Sequence, residues 1–286
     1  MKIIELKTAF HKALNNKYQK NEIDSFFYLL SEAYANLKRV DIALDPNKEI
    51  NLKKTQSIQA ALEQLKKDMP IQYILGTTEF HGLNFNVNES VLIPRPETEE
   101  LVNWILKVIQ EKNLNKKELK ILDIGTGSGC IPITLAKNIS NSNIWALDLS
   151  KKALKIAKSN AELNQVNITF LEKDILKTSD LKEQFDIIVS NPPYVTHLEK
   201  KLMQKNVLSH EPHLALFVED DEPLIFYDKI ADIALKNLKP HGYLFFEINQ
   251  AFGKETMQLL KEKNFKNIEL KKDVFGVDRM IKCEVN

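Results

Sequence analysis

Hydrophobic positions in the first 70 residues recur every three or four residues, a spacing typical of amphipathic helices. Two series have this spacing: Ile23, Phe26, Phe27, Leu30, Tyr34 and Leu37, and then Ile58, Ala61, Leu62, Leu65 and Met69. We expect Pro70 to end the second series, because proline disrupts a continuing helix. The pattern therefore predicts a helical domain over residues 1–75.

The period changes to two after residue 76, where Leu83, Phe85 and Val87 alternate with asparagines. A period of two predicts β-strands, and His81-Gly82 between the two runs fits a two-residue turn. We interpret residues 76–94 as a β-hairpin that links two domains.

From residue 95 onward, short apolar runs alternate with amphipathic segments. Strands are predicted at 119–125, 143–149, 167–174, 185–190 and 242–248, and helices at 130–139, 151–164, 223–238 and 251–263. This alternation predicts an α/β domain, a parallel sheet with helices on both faces. Two last strands, 267–273 and 278–285, are joined by a turn too short for a parallel crossover, so we expect them to be antiparallel.

Composition narrows the possible functions. The 286 residues include 40 basic and 39 acidic side chains, a balance that does not favour a protein whose main role is to coat nucleic acid. Two cysteines cannot supply a disulfide framework or a metal cluster, so no metal is expected. The sequence has neither a signal peptide nor the roughly 20 apolar residues of a membrane span, so we expect a cytoplasmic protein.

A glycine-rich loop follows the first strand of the α/β region. Three of the eight glycines of the chain lie in the sequence DIGTGSG at residues 123–129. Glycines permit a tight turn and close approach of a ligand, and the helix that follows begins with free N–H groups. The dinucleotide fingerprint is not matched, because Cys130 takes the place of its third glycine, and the phosphate-binding loop would need a lysine.

Two acidic residues at later strand ends extend this candidate site. Asp148 follows the glycine loop by about 20 residues, the position at which a carboxylate can accept both ribose hydroxyls. Asp174 ends the third predicted strand, where it can receive an adenine amino group. One loop, one ribose acceptor and one adenine acceptor favour S-adenosylmethionine as the ligand.

The sequence Asn191-Pro192-Pro193-Tyr194 follows the fourth predicted strand. The prolines fix the backbone and remove two N–H donors, which leaves the Asn191 side-chain oxygen and the Pro192 carbonyl as acceptors beside an aromatic face. This array suits a planar –NH₂ group, which donates two hydrogen bonds. Acceptors on both protons favour the positive charge that develops on nitrogen as it attacks a methyl group.

Together, the glycine loop and this tetrad resemble the class I S-adenosylmethionine-dependent methyltransferases that modify planar amino groups. Further sequences narrow the resemblance: PIQYILG at 70–76, EFHG at 79–82, LIPRPETE at 92–99, HEP at 210–212 and GVDR at 276–279. They are similar to the HemK/PrmC family, the N5-glutamine methyltransferases of peptide chain release factors. The resemblance implies a small N-terminal helical domain followed along the chain by a Rossmann-like sheet whose last strand is antiparallel.

The resemblance also implies a substrate and a set of functional residues. The substrate would be the glutamine in the Gly-Gly-Gln motif of a class I release factor. The helices of residues 1–75, together with the hairpin, would grip the release factor away from the reacting loop, and the cofactor would leave as S-adenosylhomocysteine. Residues 95–286 would form the methyltransferase domain. The implied cofactor residues are Gly125, Thr126, Gly127, Ser128, Gly129, Asp148, Asp174, Ile175 and Asn191. The amide would be held by Asn191, Pro192, Pro193 and Tyr194.

Arg95 is one of only three arginines and lies between two prolines, which present its side chain rigidly. The proline and acidic residues that follow suit the first turn of a helix, but they leave the arginine unexplained. We therefore take Arg95 as a candidate contact for the ligand or the partner. Arg279 is expected to pair with a local acid such as Asp278 or Glu247.

Three other functions are compatible with parts of this pattern. A nucleic-acid methyltransferase acting on adenine N6 or guanine N2 could hold a flipped base in the same tetrad, with Tyr194 stacked on it. That alternative predicts a basic groove, whereas the 28 basic and 30 acidic residues after residue 75 give −2. A non-catalytic cofactor-binding module would not need the tetrad, and a nicotinamide oxidoreductase does not fit the glycine spacing. We expect a monomer that binds no nucleic acid directly.

Overall fold

The computed structural model describes residues 1–114, 117–203 and 205–286. Within these ranges the chain divides into two compact units. The smaller unit contains residues 1–76 and 205–210, and the larger unit contains residues 77–203 and 211–286.

The smaller unit consists of helices, as the spacing of apolar residues predicts. Its helices, numbered along the chain, are α1 (Ile3–Leu14), α2 (Lys20–Ala35), α3 (Arg39–Leu44), α4 (Leu52–Leu65), α5 (Ile71–Leu75) and α9 (Lys205–His210). Their apolar faces form one core, in which the rings of Phe10 and Phe27 pack edge to face at 5.5 Å. Helix α4 ends five residues before Pro70, which instead precedes α5, so the predicted end of this helix is wrong.

The larger unit alternates strands and helices. Its first half contains β1 (Thr77–Phe80), β2 (Leu83–Asn86), α6 (Pro96–Glu111), β3 (Leu119–Ile124), α7 (Cys130–Asn138), β4 (Ser142–Asp148), α8 (Lys151–Leu163) and β5 (Thr169–Glu172). Its second half contains β6 (Phe185–Ser190), β7 (Val195–Thr196), β8 (Phe217–Val218), α10 (Ile225–Asn237), β9 (Leu238–Glu247), α11 (Gly253–Glu262), β10 (Lys266–Lys272) and β11 (Asp278–Glu284).

Seven of the described strands form one mixed sheet in the order β10-β11-β9-β6-β3-β4-β5. Strands β9, β6, β3, β4 and β5 are parallel, whereas β11 is antiparallel to both of its neighbours. Every residue of β6 is buried, as expected for a strand covered on both faces. The Rossmann-like fold with an antiparallel last strand is therefore confirmed.

The order of the strands determines where a crevice for a ligand forms at the edge of the sheet. Strand β3 lies between β4 and β6, so the chain builds the sheet in one direction from β3 to β5 and then returns to the other side of β3. Ile124 is opposite Ser190, whose hydroxyl donates a 2.7 Å hydrogen bond to the Ile124 carbonyl oxygen. The glycine loop and the tetrad thus begin side by side at a switch point, where open α/β sheets bind ligands.

Strands β1 and β2 form the predicted hairpin, with His81 and Gly82 at φ +52° and +73° in its turn. The hairpin packs within the larger unit. The Asn86 N–H donates to Asn160 Oδ1 at 2.6 Å, and Asn160 Nδ2 donates back to the Asn86 carbonyl at 3.0 Å. Asn160 also donates to the Ser128 carbonyl at 2.9 Å, so one buried side chain joins hairpin and glycine loop. The linker function of residues 76–94 stays a prediction.

Two absences hold for the part of the chain that the structure describes. None of its helices combines the length and apolar character that crossing a membrane requires. None of its groups of three or more His, Cys, Asp or Glu residues has an arrangement that could hold a metal ion.

Candidate active site

Backbone conformation explains the glycines of the loop between β3 and α7. Gly125, Gly127 and Gly129 have φ of +77°, +53° and +81°, a region that residues with a side chain rarely adopt. A Cβ at Gly129 would lie 3.0 Å from the Ile133 side chain and 3.2 Å from Ala157 Cβ. Gly129 therefore also permits α7 to pack closely on α8.

Asp148 anchors this loop from the end of β4. Its Oδ2 accepts a 2.8 Å hydrogen bond from the Gly127 N–H, and its Oδ1 accepts one of 2.8 Å from the Ser150 N–H. Burial raises the pKa of Asp148, while these backbone donors favour the charged form. Each carboxylate oxygen has a second acceptor position, so Asp148 can still receive hydroxyl groups of a ligand.

A cavity of about 220 Å³ opens at these strand ends. Predicted site residues that line it are Gly125, Gly127, Asp148, Asp174, Ile175, Asn191, Pro192 and Pro193. Thr126, Ser128, Gly129, Tyr194 and Arg95 are not in its wall. Much of the remaining wall is apolar, including Leu147, Phe226 and Ile230, and apolar walls with a few polar groups are typical of small-molecule sites.

Asp174 enters the cavity wall from the turn after β5 rather than from the strand itself. The strand predicted at 167–174 is shorter and ends at Glu172. The turn is held by the Leu176 N–H, which donates a 3.0 Å hydrogen bond to Asp174 Oδ1. Lys177 Nζ lies 3.3 Å from the other carboxylate oxygen, and the neighbouring Ile175 is buried and lines the cavity.

The tetrad is held by side chains from two other elements. Asn191 Nδ2 donates a 3.3 Å hydrogen bond to Thr98 Oγ1 in the first turn of α6. Thr98 Oγ1 donates at 2.6 Å to Oε2 of Glu247, at the end of β9. The Tyr194 hydroxyl donates at 3.2 Å to the other oxygen of Glu247. Sequence reasoning missed Thr98 and named Glu247 only as a partner for Arg279. The sequence signal that could have identified Glu247 is an acidic residue at the end of an apolar strand.

The two arginines of this region pair with acids. Arg279 Nε donates at 3.2 Å to Asp273 Oδ2, so the expected pairing with a local acid is confirmed, but the acid is Asp273 rather than Asp278 or Glu247. Arg95 Nη2 lies 2.5 Å from Oε1 of Glu211, whose side chain is 1% exposed. The predicted contact of Arg95 with a ligand or partner stays a prediction.

Asp123, at the start of the glycine-loop sequence, was not selected as a site residue. It is fully buried, and within the described part of the chain neither carboxylate oxygen has a hydrogen-bond partner. Burial raises the pKa of Asp123 to about 7; the nearby Thr126 hydroxyl opposes this increase, and the charge of Asp148 adds to it. A buried carboxyl group without a partner is expensive for folding, and such groups are frequent at functional sites.

Asp123→Asn is expected to increase stability in a pH-dependent way. The folded protein retains the proton up to about pH 7, whereas the unfolded chain releases it near 3.8, so stability falls as pH rises through this window. The free energy of unfolding of the variant relative to wild type should rise from pH 5 to pH 7, then stay constant. The substitution should increase the free energy of unfolding by at most about 4 kcal/mol.

Urea unfolding between pH 5 and pH 8 measures this difference. The exposed variant Asp221→Asn makes the same chemical change without burial and serves as the control. A relative stability of Asp123→Asn that does not change between pH 5 and pH 8 would contradict the raised pKa.

Comparisons with known proteins agree with this geometry. A family model of the PrmC N-terminal domain matches residues 5–76, and a model of the methyltransferase small domain matches residues 103–215. A release factor glutamine methyltransferase of Flavobacterium psychrophilum is 57% identical over 282 residues, 99% of both chains. One of Bacteroides thetaiotaomicron is 40% identical over 276 residues, 96% of this chain and 97% of that protein.

The fold is also present among solved structures. The 16S rRNA N2 methyltransferase RsmC of T. thermophilus, solved with AdoMet and guanosine, superposes with a TM-score of 0.50. It is 18% identical, and the match covers 73% of this chain and 50% of that one. At this level of identity the likeness establishes the fold alone.

The sheet order, the glycine loop at the switch point and the adjoining Asn-Pro-Pro-Tyr tetrad define a class I S-adenosylmethionine-dependent methyltransferase. Full-length identity of 57% and 40% to named relatives makes the assignment more specific. The chain belongs to the release factor glutamine methyltransferase family.

Proposed function

We propose that this enzyme transfers the methyl group of S-adenosylmethionine to the side-chain nitrogen of the glutamine in the Gly-Gly-Gln motif of a class I release factor. The observation that carries the proposal is the position of Asn191 and Pro192. Both line the cavity at the switch point, directly beside the glycine loop. A planar amide held by these two acceptors would therefore face the cofactor.

The residues around the cavity fit S-adenosylmethionine. Asp148 retains acceptor positions for two ribose hydroxyls, and Asp174 with Ile175 supplies a polar and an apolar contact for adenine. When bound, the cofactor supplies a methyl group on a positively charged sulfur.

The tetrad would prepare the amide for attack. The Asn191 side-chain oxygen and the Pro192 carbonyl would each accept one amide N–H, which fixes the nitrogen and aims its lone pair at the methyl group. Delocalisation makes an amide nitrogen a poor nucleophile, so positioning and stabilisation of the developing charge supply most of the catalysis. The methylated nitrogen then loses one proton to solvent.

The helical unit would recognise the protein substrate. The match of its residues 5–76 to the PrmC N-terminal domain supports this division, in which residues 1–75 grip the release factor and residues 76–94 connect them to the methyltransferase domain of residues 95–286. We further propose that the enzyme acts in the cytoplasm, as a monomer, without direct contact to nucleic acid.

Mass spectrometry of the reaction product tests the proposed function. The purified enzyme is incubated with S-adenosylmethionine and a release factor, and the Gly-Gly-Gln peptide is analysed by fragmentation. We expect one added methyl group on the glutamine side chain. An unmodified peptide together with methyl transfer to DNA or RNA in a parallel reaction would favour the nucleic-acid alternative.

Asp148→Ala is expected to weaken binding of S-adenosylhomocysteine by about 100-fold, because two hydrogen bonds to a charged acceptor and the anchor of Gly127 are lost. Thermal shift with S-adenosylhomocysteine, compared with NAD, measures the effect. Glu172→Gln is the control, because it neutralises the residue opposite Asp148 on β5, outside the cavity wall. This variant should bind S-adenosylhomocysteine as tightly as the wild-type enzyme. Stabilisation of the wild-type enzyme by NAD but not by S-adenosylhomocysteine would contradict the proposed cofactor.

A further inference from the structure

Two buried side chains and the partly buried Asn191 form a hydrogen-bonded chain that ends at the tetrad. Glu247 and Thr98 are 2% and 3% exposed, and the hydrogen bond between them joins side chain to side chain. Asn191 completes the chain through its Nδ2 atom. The three residues come from β9, α6 and the segment after β6, so tertiary packing rather than local sequence brings them together.

The direction of these hydrogen bonds is determined at the Glu247 end. Thr98 gives its single hydroxyl proton to Glu247 Oε2, which accepts it at 2.6 Å. Towards Asn191 the Thr98 oxygen can then only accept, so it selects the –NH₂ end of the amide. The Asn191 side-chain oxygen is thereby left for the substrate.

Other groups around Glu247 act on its charge. Burial and the negative charge of Glu97 raise the pKa of Glu247, whereas hydrogen bonds from Thr98 and Tyr194 and the positive charge of Arg279 favour the carboxylate. The Tyr194 hydroxyl donates to the second carboxylate oxygen, so Glu247 also fixes the position of Tyr194. The donors to both oxygens are therefore neutral hydroxyl groups.

We propose that Glu247, acting through Thr98, is a positioning residue that determines which end of the Asn191 amide faces the substrate. The inference rests on the proposed function, since it concerns how the tetrad accepts a planar –NH₂ group. A reversed Asn191 would present N–H donors to the N–H donors of the substrate amide, and one of the two substrate hydrogen bonds would be lost.

Two substitutions at Thr98 separate this function from simple packing. Thr98→Val keeps the shape of the side chain but removes the hydroxyl, whereas Thr98→Ser keeps the hydroxyl and removes a methyl group. We expect Thr98→Val to lower kcat roughly 10- to 100-fold, with the Kd for S-adenosylhomocysteine unchanged, and Thr98→Ser to retain most of kcat. A packing function predicts the opposite order.

Thr256→Val is the matched control for the loss of a buried threonine hydroxyl. Thr256 is fully buried in α11, and its hydroxyl donates at 2.7 Å to the Phe252 carbonyl, away from the cavity wall. Its kcat should stay close to wild type. Equal losses of kcat in Thr98→Val and Thr256→Val, or in Thr98→Val and Thr98→Ser, would overturn the proposal.

A measurement that needs no catalysis distinguishes the positioning proposal from the proposed function. In enzyme labelled with ¹⁵N-asparagine, the side-chain amide signals of Asn191 are identified by their loss in Asn191→Asp. We expect exchange of these amide protons with water to accelerate at least about tenfold in Thr98→Val but not in Thr98→Ser. Unchanged exchange in Thr98→Val would overturn the positioning proposal. Absence of methyl transfer by wild type, with accelerated exchange, would instead reject only the proposed function.

Discussion

Asn191→Ala is expected to lower the rate of glutamine methylation by about 1,000-fold, the largest effect of any single side chain in the site. The substitution removes the acceptor that fixes one proton of the substrate amide. It leaves Pro192 in place, and most of the cavity wall is unchanged. Binding of S-adenosylhomocysteine should therefore change much less than the rate.

Initial rates from peptide mass and a calorimetric Kd measure these two effects separately. Asn143→Ala is the matched control, because Asn143 lies on β4 and its side chain accepts one exposed hydrogen bond from Trp145. More than a tenth of the wild-type rate in Asn191→Ala would contradict the function assigned to the tetrad.

Arg95→Met is expected to lower the free energy of unfolding by about 3–5 kcal/mol, because it leaves the carboxylate of Glu211 buried without its cation. The other carboxylate oxygen, Oε2, already lacks a hydrogen-bond partner among the described residues. Removing both charges in Arg95→Met/Glu211→Gln should restore most of the loss. This pattern distinguishes an unpaired buried charge from loss of arginine packing.

Urea unfolding of the single and double variants measures the coupling. Lys107→Met is the control, since Lys107 pairs with Glu111 on the surface, where both side chains are more than half exposed. Loss of such a pair costs less than about 1 kcal/mol. An effect of Arg95→Met no larger than that of Lys107→Met would show that leaving the Glu211 carboxylate without its cation costs little.

The Arg95 pair also bears on the ligand site. Glu211 directly precedes Pro212, which lines the cavity together with Leu214 and Ala215. The ion pair is therefore placed to support one wall of the cavity from outside it. A rigid arginine between two prolines suits this function without any contact to the ligand.

The fold was predictable because its signals are local and long. Runs such as 185–190 and helices such as α8 have enough residues for a period to be visible. Strands β7 and β8 have two residues each and were missed, because no period can be read from two residues. Helix α4 ends at Leu65, before the apolar spacing stops, because the chain turns through Asp68 at φ +62°.

The candidate site was only partly predictable, for a different reason. The glycine loop and the tetrad are each contiguous, and the loop requires glycine conformations that can be inferred from sequence. The residues that position them are not contiguous. Thr98 and Glu247 are separated by 149 positions, and Arg95 and Glu211 by 116. Their pairing depends on the order of the strands, which a single sequence does not determine in detail.

The position of β11 has a consequence for synthesis of the protein. This strand is made after β10 but inserts between β10 and β9, and its Cys283 and Ile281 are fully buried there. While a ribosome is still adding residues 278–284, β9 has an open edge and the apolar core beneath it is exposed to other chains. Open edges of this kind promote aggregation. The methyltransferase sheet can therefore be completed only after this strand has been translated.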